Sequence, residues 1–202
     1  MQGGIEMRRR TFDALATMAG LVLAVVLAVG GGLLVWGHSV ISNDVHNQLA
    51  AQKIVFPPAS SAAIKELPAT DAAAMSTYGG QLMTTGAQAE TYADHFIAVH
   101  LQKIGGGKTY SQLSEASLAA PKNTALAEQV QTMFRGTTLR GMLLNAYGWW
   151  QMGQIMLISA IVAFGAAALF LLLSIFGLVH LRRAAPESEV FPKLASRVGV
   201  NA

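Results

Sequence analysis

The stretch AYGWWQMGQIMLISAIVAFGAAALFLLLSIFGLVHL, residues 146–181, contains no Asp, Glu, Lys or Arg. A helix of roughly 20 apolar residues already spans a bilayer. At ~1.5 Å per residue the whole stretch would reach roughly 54 Å, against a hydrocarbon core of about 30 Å, so the excess must project beyond it. The segment 147–181 therefore reads as a transmembrane helix with an outer interfacial extension. Tyr147, Trp149 and Trp150 mark the outer end with rings that favour the headgroup level. Arg182 and Arg183 close the other end as a positive stop.

A second uncharged stretch lies near the N-terminus, from Ala14 to Gly37, preceded by Arg8, Arg9 and Arg10 and carrying Trp36 at its far end. Basic residues before the first span and after the second agree on one orientation. Residues 1–13 and 182–202 form cytoplasmic tails, and residues 38–146 form an extracytoplasmic domain. A cleaved signal peptide is the rival reading of the first span. Its apolar run is longer than an h-region, and Trp36-Gly37-His38-Ser39 offers no A-x-A site, which favours an uncleaved anchor. The expected location is the cell inner or plasma membrane, as a multi-pass protein with both termini cytoplasmic.

Composition agrees with that division. Apolar residues make up 52% of the chain and charged ones 12%, a balance that points away from a soluble globular protein. The net charge is +3, yet segment 38–146 carries seven basic and seven acidic residues and is neutral. The excess sits in the tails, where it orients the chain, and no basic face with interleaved aromatics is left for a nucleic acid. There is no cysteine, which removes disulfides, thiolate nucleophiles and thiolate metal sites together.

Both spans carry small residues at intervals of four. Gly20, Ala24, Ala28 and Gly32 continue a stripe that begins at Ala16, and Ser159, Ala163 and Ala167 repeat it in the second span. Such faces let helix backbones approach closely where lipid removes any hydrophobic force between helices. The same stripe could also follow from the abundance of Ala and Gly. Its partner could be the other span, a second copy of the chain or another membrane protein.

Between the spans the signals are helical. Ile41, Val45 and Leu49 extend the first helix to near Gln52, and Pro57-Pro58 breaks the chain. Residues 59–85 read as irregular, with helical turns near 61–66 and 71–77. Ala93, Phe96, Ile97, His100, Leu101 and Ile104 give one apolar face to a helix over 87–104, which Gly105-Gly106-Gly107 stops. Thr109 caps a turn over 110–118, and Asn123 or Thr124 starts the next helix. Gly136 is expected to break that helix, with Thr137 or Thr138 capping the one that runs into the second span. The fold class is an all-α membrane protein: two transmembrane helices and a small, mostly helical extracytoplasmic domain between them.

No catalytic, cofactor or metal constellation emerges. His95 and His100 stand five apart, roughly 140° around a helix, and His38, Asp44 and His46 are no better placed. Gly105-Gly106-Gly107-Lys108-Thr109 lacks the first glycine of a phosphate-binding loop, because Gln102 fills its slot and a helix, not a strand, precedes it. No GxSxG elbow or SxxK set is present.

Several runs, Tyr92-Ala93-Asp94-His95-Phe96, the stretch 106–113 (GGKTYSQL), Leu139-Arg140-Gly141 and the stretch 163–168 (AFGAAA), together resemble a family of small actinobacterial two-span membrane proteins of unknown function. The glycine-lysine-threonine-tyrosine turn is the most specific part of that likeness. Members often carry the label "aromatic ring-opening dioxygenase", for which this chain offers no iron ligand set. The resemblance implies the two-span architecture and brings no established activity with it. The expectation is a non-catalytic accessory or scaffold subunit of a larger membrane complex, partnered by the lipid bilayer and by other integral membrane subunits or further copies of itself. A lipid-, quinone- or metal-handling factor and a sensor with a separate output partner are the two other readings.

Overall fold

A computed structural model describes residues 9–183, with side chains from Thr11 onward. Arg8 and the tail from residue 184, including Lys193 and Arg197, lie outside the described residues. Two helices dominate. α1 runs Arg9–Ala51 and α7 runs Thr124–Arg183, each long and apolar enough to cross a membrane. Between them come α2 (Ala62–Lys65), α3 (Ala69–Ser76), α4 (Gly86–Tyr92), α5 (Ala98–Gly105) and α6 (Tyr110–Ala119), with a π-helical turn, Ala93–Ile97, joining α4 to α5. No strand forms among the described residues. One antiparallel bridge pairs Val55 with Leu82.

The chain divides into two compact units, residues 1–34 with 158–202 and residues 35–157. In the first, α1 and α7 run antiparallel. The buried positions Thr17, Ala24 and Gly31 recur every seven residues on α1, and Ala160, Ala167 and Ser174 do so on α7. Gly20 and Leu27, Ala163 and Phe170 fall between them at steps of three and four, half-exposed or less. A heptad spacing of this kind keeps one seam of each helix facing the other.

The second unit is built around Phe56, Ile64, Met75 and Met83, all nearly or wholly buried. α1 contributes Val45 and Leu49 to this core, α4 and the π turn contribute Ala89, Ala93 and Ile97, and α7 contributes Leu143. Local chemistry explains the boundaries. Pro57-Pro58 forbids helix, so the chain from Ile54 to Phe56 is extended and pairs with residues 80–83: the Phe56 amide donates to Gln81 at 2.9 Å and the Met83 amide to Ile54 at 2.8 Å. Thr85 caps α4 and Thr109 caps α6, each in a reciprocal box with a glutamine three residues on. Gly106 ends α5 with φ +58° and Gly107 follows at +80°, conformations that favour glycine.

One expectation fails. Gly136 does not break a helix, because α7 continues through it unbroken for 60 residues. A β-carbon at Gly136 would stand 2.5 Å from Leu101 Cδ2, so the residue is glycine where α5 lies close against α7. The cost of one glycine in a helix, about 1 kcal/mol, is small beside the packing it permits.

Candidate functional site: the helix seam and its polar end

The seam in the first unit is fitted by reciprocal notches. A β-carbon on Gly20 would lie 2.6 Å from the Ser174 hydroxyl, and one on Gly177 would meet the Thr17 hydroxyl. Each helix thus offers a glycine to the other's hydroxyl side chain. Farther along, a β-carbon on Gly31 would lie 3.1 Å from the Phe164 ring. Among the small residues marked out by their spacing, Gly20, Ala24 and Ala167 lie on this seam, and Ser159 and Ala163 border it half-buried. Ala28 and Gly32 are exposed, and nothing approaches Gly32. A step of four residues overruns the helical turn by about 40°, so a strict four-residue stripe winds off a face that a three-four alternation holds. Ala28 instead joins Ala24, Ala167 and Ala168 in a shallow groove of about 320 Å³ on the flank of the pair.

Toward Arg182 and Arg183, both exposed, the seam turns polar. Asp13 Oδ2 is 3.8 Å from His180 Nε2. Thr17 is 7% exposed and Ser174 3%. Neither Asp13 Oδ2 nor Ser174 Oγ has a hydrogen-bond partner among the described residues. Buried polar atoms are nearly always paired, so two orphans in one place call for an explanation. Spacing arguments missed this cluster because they looked for small residues. The signal available was the recurrence of polar residues at 13, 17, 174 and 180 inside otherwise apolar runs.

In the second unit the aromatic residues separate by role. Trp36 and Trp149 are 67% and 56% exposed. Trp150 instead packs its Cβ and indole against Gly86 at the start of α4 and joins the core, while its ring stacks 6.1 Å from Tyr147. Gln151 donates to the Tyr147 hydroxyl at 3.0 Å. Trp150→Ala is expected to destabilise this unit by about 2 kcal/mol and Trp149→Ala by less than about 0.5 kcal/mol, read as a shift in thermal unfolding of the detergent-solubilised chain.

Three of the five histidines are occupied individually. His38 Nδ1 donates to the Gly153 carbonyl at 2.8 Å, His95 Nδ1 meets Asp71 at 2.7 Å, and His100 Nδ1 donates to the Phe96 carbonyl at 2.7 Å. Arg140 reaches Asp94 at 2.6 Å. Rings of Tyr78, Phe56, Tyr92, Phe96 and His100 follow one another at centroid distances of 4.4–5.4 Å, and burial raises the Tyr92 phenol above its ordinary pKa. Among the described residues no three His, Asp or Glu side chains converge as a metal site.

Fold and site together define an all-helical chain with two helices long and apolar enough to cross a membrane, joined face to face through glycine notches. Comparison with known protein families, curated proteins and solved structures found no match.

Proposed function

We propose that this chain is a two-pass membrane protein with residues 38–146 outside the cytoplasm, and that it serves as a non-catalytic accessory or scaffold subunit of a larger membrane complex. The observation that carries the membrane reading is the outward face of the first unit. Leu15, Met18, Val22, Val26, Val29 and Leu33 on α1, with Ile161, Val162, Leu169, Leu172 and Phe176 on α7, are all about half or more exposed. A surface this apolar is untenable in water and ordinary in lipid. Arg182 and Arg183 support a cytoplasmic position for that end of α7, by the positive-inside rule.

The scaffold reading rests on apolar side chains left open where the chain would meet water. Leu118 is 82% exposed, Met142 65% and Phe134 48%, a pattern that favours a protein partner. Purification of the intact chain in mild detergent tests this. Co-purification of other membrane proteins in fixed stoichiometry, lost in Leu118→Glu or Phe134→Glu chains that still fold, supports the scaffold. A solitary chain at every stage would contradict it.

A further inference from the structure

The polar end of the seam opens into a cavity of about 540 Å³. Asp13, Thr17, Ser174 and His180 line it together with Leu23 and Phe170. Ser174 is almost wholly buried and its hydroxyl has no partner among the described residues; Asp13 Oδ2 is likewise orphaned there. Asp13 and His180 sit at the ends of the two apolar runs, beside Arg182 and Arg183, whereas Leu23 and Phe170 lie two to three turns farther into them. The cavity is therefore polar at one end and apolar at the other. That is the shape of an amphiphile's head and the start of its chain.

The chemistry of the lining selects the head. A carboxylate with a buried, unpartnered oxygen accepts hydrogen bonds and attracts positive charge, so it favours an ammonium, which supplies both donor and charge, over a bare phosphate. Arg182 and Arg183, which follow His180 in the chain and are exposed, offer positive charge to a phosphate. We infer that this cavity binds a phospholipid with a primary-amine headgroup, its ammonium on Asp13 and the Ser174 hydroxyl, its phosphate at the level of Arg182 and Arg183, and its acyl chain along Leu23 and Phe170. This site rests on the membrane reading above.

Native mass spectrometry of the full chain, delipidated in detergent and supplied with phosphatidylethanolamine, phosphatidylcholine or phosphatidylglycerol, tests it. One phosphatidylethanolamine should remain bound under activation that strips the other two, with a preference of at least about tenfold. Phosphatidylcholine is the informative competitor, because its trimethylated nitrogen keeps the charge and cannot donate. Asp13→Asn should abolish the preference, Asp13→Glu should retain much of it, and Met18→Leu, on the outward face, should leave it unchanged. Equal retention of the three lipids, or an unaltered preference in Asp13→Asn, overturns the assignment. So does a photoreactive residue at Leu173 that cross-links in cells to a protein rather than to lipid, since a partner helix would then fill the cavity. Retention in carbonate-washed membranes separates the two levels. A chain that carbonate releases loses both readings, and a chain that stays in the membrane without lipid preference loses only the site.

Discussion

Phe56→Ala is expected to cost the second unit about 3–5 kcal/mol, the range for removing a large aromatic side chain from a packed interior. Phe56 has no solvent exposure, and its ring lies 5.4 Å from Tyr78 and 5.3 Å edge-on from Tyr92. Its backbone is held on both sides, donating to Gln81 and accepting from Gly80 at 3.1 Å. The residue cannot swing to close the void its ring would leave, because Pro57 restricts its backbone to extended conformations. A domain of this size has roughly 5–15 kcal/mol of stability in total, and this chain has no cysteine with which to add a disulfide. The variant should therefore expose the core helices to limited proteolysis at temperatures where the parent chain resists. Val55→Ala is the matched control: Val55 is 54% exposed and should cost less than about 0.5 kcal/mol. Equal losses from the two substitutions would mean that Phe56 is not the centre of this core.

Gly177→Leu and Gly20→Leu should each loosen the helix pair of the first unit by about 1–3 kcal/mol, with Gly32→Leu close to neutral. At Gly177 the added carbon meets the Thr17 hydroxyl, and at Gly20 it meets the Ser174 hydroxyl at 2.6 Å, while at Gly32 it meets nothing within 4 Å. Overpacking should be relieved from the other helix. Thr17→Ala combined with Gly177→Ala should be more stable than the sum of the single changes predicts, because the clashing oxygen is gone. Thermal loss of the monodisperse peak in detergent reads all of these. A ranking in which Gly32→Leu is as damaging as Gly177→Leu would place the packing face on the four-residue stripe and contradict the seam.

That contrast shows where reading the chain alone reaches its limit. The two long apolar runs, the end of α1 before Pro57-Pro58, the glycine stop after α5 and the Thr109 cap are all set by local chemistry, so they are legible residue by residue. Which side of a helix packs is a matter of a few tens of degrees. Gly20 and Ala24 fit both a four-step and a three-four pattern, and only the partner helix distinguishes Leu27 and Gly31 from Ala28 and Gly32. Gly136 was opaque for a related reason. A glycine that breaks a helix and a glycine that admits Leu101 look alike until α5 is in place. The π turn at Ala93–Ile97 has no local signature, and His95, which meets Asp71, lies within it. Trp149 and Trp150 are neighbours of one type with different surroundings, and only the approach of Gly86 makes the second a core residue. The polar cluster at Asp13, Thr17, Ser174 and His180 is assembled by the antiparallel register of α1 and α7, which no local pattern encodes.

Two crossings with an outer segment are measurable without background, because the sequence has no native cysteine. Single cysteines at Lys122 and at Ser188 can be labelled in intact cells with a membrane-impermeant maleimide, then again after permeabilisation. Two crossings with residues 38–146 outside predict that Lys122→Cys is labelled in intact cells and Ser188→Cys only once the membrane is opened. Labelling of both before permeabilisation, of neither, or of Ser188→Cys alone would contradict it.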